Sequence, residues 1–343
     1  MNIHIVDSVK GGSGKSTFAL KLAATLELKA EDAGQEAQTI KPIIVDMDIM
    51  GTSWSSTFGN NINKNKNSAY TIYLNDLVLD WNYYKTMHFV NKIKIKTSLS
   101  KEVKISVIVC SNKQSAKEKF KIDDQSKSQS IEYDVFCSRI VKLMECLKDK
   151  GYTDIILDMP PNSEPYSNSI LKYCLKNTKD NINLYMIAST DISHIDANIN
   201  WYDNFISSFD SQRSITLSEK PYLTESERKE FARKQNGSDN TYDISLTSWY
   251  KESTHKLYIV INDMFDFFNG KKSKEAMVYI VNSISNKSLK NSLLYLLVHY
   301  DDELYNAKKA LLLAREESIV LNCSELSIYD NMFLIETIEK QPK

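Results

Sequence analysis

Residues 9 to 20, near the amino terminus, form a glycine-rich segment that reads VKGGSGKSTFAL. Three glycines in so short a stretch let the backbone turn until several N–H groups point at one anion. In such a loop, Lys15 supplies a positive charge to the β and γ phosphates of a nucleotide, and the Ser16 hydroxyl can ligate Mg²⁺. The predicted contacts to the bound nucleotide are Gly11, Gly12, Ser13, Gly14, Lys15, Ser16 and Thr17.

The surroundings of this segment favour a phosphate site over a plain glycine-rich turn. An apolar, strand-like stretch, NIHIVDSV, precedes it, and an amphipathic stretch from Ser16 to Ala30 follows it. A phosphate-binding loop needs this order of strand, loop and helix. The apolar positions that share one face of the predicted helix are Phe18, Ala19, Leu22, Ala23 and Leu26.

Three aspartates stand where two other apolar runs end. Asp46 and Asp48 close PIIVDMD at residues 42 to 48, and Asp158 closes DIILDM at residues 154 to 159. In a parallel sheet the carboxyl ends of the strands share one edge, and ligands bind there. These carboxylates therefore suit a metal and water site beside the loop. For Asp46 and Asp158, a purely structural role at the strand ends remains the alternative.

Short apolar runs alternate with helix-like stretches along most of the chain. Runs that are apolar throughout predict strands buried on both faces, and strand and helix in alternation predict a parallel sheet. We expect an α/β fold in which a parallel, doubly wound P-loop NTPase sheet carries helices on both faces. The predicted strands are 3–9, 42–48, 103–110, 154–159, 182–189, 256–263 and 276–283.

Length and composition indicate one folded domain. The chain has 343 residues, of which 42% are hydrophobic and 25% charged, and its formal net charge is −1. We expect a single domain over residues 1–343, with a polar insertion at about 211–255 and an elaborated C-terminal third. No apolar run approaches the roughly 20 residues that cross a bilayer, and no signal-like segment is recognisable, so the predicted location is the cytoplasm.

Five cysteines are present, and none has the spacing of a metal site. In a reducing compartment such residues are expected to be free thiols in the core. They are Cys110, Cys137, Cys146, Cys174 and Cys323.

With Lys10 included, the loop reads KGGxGK[ST], and this form resembles the deviant Walker A loop of the ParA/MinD family of dimeric ATPases. IIVDMDIMGTSW, at residues 43 to 54, is similar to the second motif of that family. GYTDIILDMPPN, at residues 151 to 162, is similar to its Walker B segment. The resemblance covers most of residues 1–200 and implies Mg²⁺-dependent hydrolysis of ATP.

The resemblance also implies a role for individual residues. Lys10 would reach across a two-fold interface to the partner's nucleotide, so that ATP drives formation of a homodimer. Asp48 would lie near the attacking water, while Ser16, Asp46 and Asp158 would hold the Mg²⁺ region. In LYIVINDMFD, Asn262 would contact the adenine, beside Asp263 where many relatives carry arginine.

Family members of this kind act on a surface, and the chain's charges bear on which surface. The acidic C-terminal segment does not fit the basic membrane anchor of MinD-type members. The resemblance therefore implies a ParA-like ATPase for DNA or plasmid partition or cargo positioning, which binds nonspecific DNA, responds to a ParB-like activator and associates with the nucleoid. The alternative is a regulatory scaffold ATPase of a secretion, pilus or conjugation system. The DNA-binding candidates are Lys271, Lys272, Lys274, Lys287 and Lys290, followed by Lys92, Lys94 and Lys96, which could equally protect an edge strand.

Overall fold

A computed structural model provides the structure of the chain. It describes residues 1–32, 40–48, 90–97, 102–109, 140–160, 170, 180–189, 191–210, 256–264, 282–283, 293–299, 322–323 and 332–335.

A single mixed sheet is the centre of the fold. Its core strands consist mainly of apolar residues, and β2 and β5 are buried at every position. Strands covered on both sides are expected to read in this way. In chain order the strands are β1 (Asn2–Asp7), β2 (Pro42–Asp46), β3 (Asn91–Thr97), β4 (Glu102–Ile108), β5 (Asp154–Asp158), β6 (Asn181–Ala188), β7 (Lys256–Met264), β8 (Leu293–His299), β9 (Asn322–Cys323) and β10 (Met332–Ile335).

The strands lie in the order β10-β8-β7-β6-β1-β5-β2-β4-β3-β9. From β8 to β4 every neighbouring pair is parallel, whereas β10 and β3 run antiparallel to their neighbours β8 and β4. The chain leaves β1 for β2 on one side and later places β6 on the other side. This change of direction at β1 opens a crevice at the carboxyl ends of the strands. The predicted α/β class with a parallel central sheet is confirmed.

Three helices are described over several turns: α1 (Lys15–Asp32), α2 (residues 140–149) and α3 (Ile192–Asp210). On α1, Phe18, Ala19, Leu22 and Ala23 are buried as the sequence predicts, and Leu26 packs against them. None of the helices described is long and apolar enough to cross a membrane. α1 therefore serves as a packed support for the loop that precedes it.

The end of α2 sets the start of β5. Gly151 has a φ of 79°, and its N–H donates to the Lys148 carbonyl at 2.9 Å. The Tyr152 N–H donates to the Leu147 carbonyl at 3.1 Å. This pair of bonds is a Schellman motif, in which a glycine takes the left-handed position after the last helical residue. The motif ends α2 and directs the chain into the strand that carries Asp158.

Aromatic side chains connect α3 with the strands beneath it. The Tyr202 hydroxyl donates to the Tyr258 carbonyl of β7 at 2.9 Å, and Trp201 packs edge-on against the Tyr202 ring at 5.3 Å. The Tyr185 ring of β6 stacks on the Tyr258 ring with 4.7 Å between their centroids. It also packs against the Phe18 ring of α1 with a centroid distance of 5.2 Å. The Tyr202 bond therefore fixes α3 to β7, and the Tyr185 ring links β6 and β7 to α1.

The prediction of a strand at residues 276–283 is wrong at its end, because Asn282 and Ser283 are helical. The strand that extends the sheet beyond β7 is instead β8, whose sequence is LLYLLVH. Short apolar runs do not distinguish a strand from a buried helix by pattern alone, and β8 is the more continuously apolar of the two. The predicted insertion at 211–255 lies outside the described residues.

Cys146 of α2 is a free cysteine and is partly exposed, so it does not lie in the core as the sequence suggested. Cys323 lies in β9. The remaining cysteines, Cys110, Cys137 and Cys174, lie outside the described residues.

Candidate functional site

The glycine-rich loop runs from the end of β1 to the start of α1. Gly12 and Gly14 have φ values of 77° and 89°, a region of backbone conformation that favours glycine. The Gly14 carbonyl accepts the Phe18 N–H at 2.9 Å and so begins the helical ladder of α1. The N–H groups of the first helical turn have no earlier carbonyl within the helix to bond, and this turn holds no acidic residue. The loop and helix start therefore form a site suited to an anion.

Lys15 is the buried cation of this site. Its side chain lies at the first position of α1, and the residue is only 8% exposed. Loss of solvation lowers the pKa of its ammonium, and the charges of Asp7, Asp158 and Asp48 oppose that shift. Lys15 is thus a buried ammonium whose charge nearby carboxylates partly offset, so an anion such as phosphate would bind there together with a cation of its own.

Asp7 belongs to this group, although the sequence analysis did not include it. It ends β1 directly before the loop, it is buried, and its Oδ1 accepts the Ser8 N–H at 2.7 Å. The signal was available, because Asp7 lies near the end of the predicted strand 3–9, as Asp46 and Asp158 lie near the ends of theirs. Its contact with the loop backbone gives it a structural part in holding the turn.

Asp158 lies beside the ends of β1 and β2. The register pairs it with Val6 on one side and with Asp46 on the other. The Met47 N–H donates to the Asp158 carbonyl, and the Met159 N–H donates to the Val6 carbonyl, each at 2.9 Å. Backbone bonds thus hold the three strand ends together, and two of the predicted metal-site carboxylates come from adjacent strands.

Asp46 and Asp48 are connected to each other. The Asp48 N–H donates to the Asp46 Oδ1 at 3.1 Å, and Asp46 is buried whereas Asp48 is partly exposed. One oxygen of Asp46 therefore fixes the backbone turn after β2, as the structural alternative supposed. Asp48 is partly exposed at the site, and its negative charge opposes the lowering of the Lys15 pKa that burial causes.

Lys10, the lysine that precedes the glycines of the loop, contacts α3. Ser8 fixes the Lys10 backbone, since its hydroxyl donates to the Lys10 carbonyl at 2.6 Å and accepts the Lys10 N–H at 3.2 Å. The Lys10 ammonium donates to the Ser193 Oγ at 2.8 Å. One residue earlier, the Val9 N–H donates to the Asn198 Oδ1 at 3.3 Å. The sequence analysis gave no role to Ser193 or Asn198.

The residues present suit a magnesium nucleotide better than a metal held by protein alone. Within the described residues, no three or more of His, Cys, Asp and Glu come together as a metal site. Mg²⁺ commonly uses one or two carboxylates together with substrate phosphates and water. Ser16 on α1 and the carboxylates of Asp46 and Asp158 offer such a partial set beside the anion site.

The other predicted contacts are placed only in part. Asn262 lies near the carboxyl end of β7, at the edge of the sheet that also carries the loop. Lys92 is exposed on β3, which also contains Lys94 and Lys96 and lies near one edge of the sheet. The other DNA-binding candidates, Lys271, Lys272, Lys274, Lys287 and Lys290, lie outside the described residues.

Neither the family models nor the curated proteins include a match to the chain. Among solved structures, the chain is similar to a plasmid partition protein from Borrelia burgdorferi, with 14% identity and a TM-score of 0.42 over 91% of this chain and 96% of that one. It is also similar to the pnob8 ParA protein, with 15% identity and a TM-score of 0.45 over 85% of this chain and 74% of that one.

A third similar structure is a nucleotide-binding protein from Archaeoglobus fulgidus in complex with ADP. It has 12% identity and a TM-score of 0.33, over 92% of this chain and 89% of that one. These values are too low to assign roles to individual residues, which have to follow from the geometry of this chain.

Proposed function

We propose that the chain is a Mg²⁺-dependent ATPase of the ParA type, which dimerises around ATP and acts in DNA or plasmid partition or in cargo positioning. The observation that carries this proposal is the buried Lys15 at the start of α1, behind a loop that two left-handed glycines shape. Lys10 on the outer side of the same loop supports the ParA/MinD type over an ordinary phosphate loop.

The charges around Lys15 indicate that phosphates would bind there together with a cation. The loop N–H groups and Lys15 would hold the β and γ phosphates. Lys15 is already close to three carboxylates, so phosphates without a cation would add negative charge to a site that has little positive charge to spare. Mg²⁺ supplies that missing charge when bound, and we expect Ser16 and Asp158 to hold it, with Asp46 beside them.

Hydrolysis needs a water in line with the γ phosphate more than it needs a strong base. Asp48 suits the task of orienting that water, because it is partly exposed while its backbone is fixed by Asp46. Asp46 and Asp158 are buried, so they are better suited to the metal side of the site.

Lys10 would act on a second copy of the chain. A lysine contributed in trans stabilises the charge that develops on the transferred phosphoryl group, as an arginine finger does. Loss of the γ phosphate would then weaken the association of the two copies. Nonspecific DNA would be the surface on which the dimer acts, with a ParB-like activator that stimulates hydrolysis and a location in the cytoplasm at the nucleoid.

The phosphate site is tested by the change Lys15→Ala. We expect this variant to lose most of its affinity for Mg²⁺–ATP, because the buried charge that faces the phosphates is removed. Isothermal titration calorimetry measures the affinity, and circular dichroism checks that the variant is folded.

The matched control is Lys41→Ala. Lys41 lies just before β2 at the opposite end of the sheet, where its ammonium donates to the Lys150 carbonyl at 3.2 Å. That variant should bind ATP as the parent does. A folded Lys15→Ala variant with the parent's affinity would refute the assignment of the site.

A further inference from the structure

In the single chain, the ammonium of Lys10 already has a binding partner. It donates to the Ser193 Oγ at 2.8 Å, across 183 positions of sequence. If Lys10 works on the nucleotide of a second copy, its ammonium cannot keep this geometry while it binds a phosphate elsewhere. The contact between Lys10 and Ser193 is therefore a bond that a change of state has to break.

Both sides of this contact are fixed by other bonds. On the loop, Ser8 bonds the Lys10 carbonyl and N–H, and the Asn198 side chain accepts the Val9 N–H. Asn198 is buried in α3, so the helix holds the loop at two successive residues. Lys10 is thus presented to α3 by a rigid backbone.

On the helix side, Asp191 caps α3 and fixes Ser193. Its Oδ1 accepts the Ser193 N–H at 2.8 Å, and its carbonyl accepts the His194 N–H at 3.0 Å. The backbone N–H and then the hydroxyl of Ser193 lower the pKa of Asp191, and the charges of His194 and Lys10 contribute less. Ser193 is therefore held to a carboxylate through its backbone N–H, while its Oγ accepts the Lys10 ammonium.

The start of α3 is open to a partner. Ile192, next to Ser193, is 54% exposed, and among the described residues it is the only large hydrophobic side chain that is so exposed. Lys10 is itself partly exposed. The contact therefore lies at a surface that a second copy can approach.

We propose that Ser193 is a positioning residue that holds Lys10 on its own subunit, so that dimerisation around ATP exchanges the Ser193 hydroxyl for a phosphate of the partner's nucleotide. This inference rests on the proposed ATP-dependent dimer. The exchange is favourable, because a phosphate oxygen carries charge whereas the hydroxyl is neutral. It nevertheless makes the dimer weaker than it would be if the Lys10 ammonium did not first have to leave Ser193.

The test is the change Ser193→Ala, which removes the hydroxyl but keeps the backbone N–H that Asp191 binds. With a nonhydrolysed ATP analogue, light scattering gives the protein concentration at which half of the chains are dimeric. We expect that concentration to fall roughly fivefold to 100-fold, because one modest hydrogen bond is removed from each of the two subunits. Affinity for ADP should stay at the parent's value, because Lys10 would not contact the nucleotide of its own subunit.

Two variants serve as controls. Ser193→Thr keeps a hydroxyl and should restore the parent's dimerisation, which a general disturbance of α3 would not predict. Asn200→Ala removes an exposed polar side chain from the same helix and should have no effect.

The outcomes separate the two proposals. If the parent fails to dimerise with the analogue, or Lys10→Ala dimerises as the parent does, the proposed function fails. If the parent dimerises and Lys10→Ala does not, the role of Ser193 is decided by Ser193→Ala alone. Unchanged or weaker dimerisation in that variant would overturn the inference.

Discussion

Among the single residues of the site, Asp48 differs from the other carboxylates near Lys15. Asp7, Asp46 and Asp158 are buried, whereas Asp48 is partly exposed and is fixed through its backbone N–H. A carboxylate that remains in contact with solvent can orient a water, while one that is buried and bonded holds structure or metal. The exposure of Asp48 therefore supports its assignment to the hydrolytic step.

The change Asp48→Ala should separate binding from hydrolysis. We expect ATP to bind at least as tightly as in the parent, because a negative charge near the phosphates is removed. Hydrolysis should fall by about 100-fold or more, the usual effect of losing a group that positions a reactant. Single-turnover hydrolysis with radiolabelled ATP measures the rate, and light scattering should show that the dimer persists.

Asp149→Ala, at the exposed end of α2, is the control for removal of a carboxylate far from the loop. If Asp48→Ala hydrolyses ATP at the parent's rate, another group positions the water.

The sequence predicts the role of a single residue when its neighbours in the chain form a recognisable pattern, and it misses a role that depends on a distant partner. Lys15 and Asp158 could be predicted because a loop or an apolar run identifies them. Ser193 has no such local signal, since its partner Lys10 lies 183 positions away. Asn198 did have one, because a polar residue at an apolar position of α3, beside the buried Ile195 and Ile199, calls for a partner.

Among the elements, β1 and β5 are joined at their amino ends by a polar network around Asp154. Its Oδ1 accepts a bond from the Asn2 amide at 2.8 Å and lies 3.0 Å from the His4 Nε2, while the Thr153 hydroxyl donates to its Oδ2 at 2.7 Å. Burial by itself raises the pKa of Asp154, but the bonds from His4, Asn2 and Thr153 outweigh it and lower that pKa. The network ties β1 to β5 at the end opposite the site.

A lowered pKa makes the network's contribution to stability depend on pH. Asp154 stabilises the fold fully above its unfolded pKa of about 3.9, and this stabilisation is lost as the pH falls through its lower folded pKa. We expect Asp154→Asn to be less stable than the parent at pH 7 by about 1–3 kcal/mol, with a smaller difference below about pH 4. Urea unfolding of both proteins at several pH values measures this, since other carboxylates titrate alike in both. A difference that stays the same at every pH would show that Asp154 acts by shape and not by charge.

The elements themselves were predictable where burial makes the pattern simple. β1, β2, β5, β6 and β7 are covered on both sides, so their apolar runs mark them within a residue or two. The order of strands beyond β7 was not predictable in this way. Residues 276–283 and Leu293–His299 have similar patterns, and only pairing with β7 distinguishes them.

For the molecule as a whole, the proposed function predicts that the ATP-bound form acts on a DNA surface. We expect it to retain nonspecific duplex DNA at low salt and to release it as salt rises, because counterions that the protein displaces return to the DNA. Replacement of Lys271, Lys272 and Lys274 by alanine should lower the slope of log affinity against log salt by about 0.9 for each phosphate that the protein then leaves unneutralised. Fluorescence anisotropy with a labelled duplex and a nonhydrolysed ATP analogue measures both effects.

The control replaces Lys41 and Lys150, which lie together at the amino ends of the strands, and should leave the slope unchanged. If the ATP-bound form retains no DNA even at low salt, a scaffold that binds a protein machine becomes the better assignment.

The edge-on packing of Trp201 against Tyr202 has an optical consequence. Trp201 lies on α3 eight positions after Ser193, in a helix anchored to β7 through the Tyr202 hydroxyl. Indole fluorescence responds to the polarity and quenching groups around the ring, so a shift of α3 that accompanies release of Lys10 would change its emission. The chain has four tryptophans. Replacing the other three, Trp54, Trp81 and Trp249, by phenylalanine would leave Trp201 as the single tryptophan, whose emission would report on this helix in real time without any attached dye.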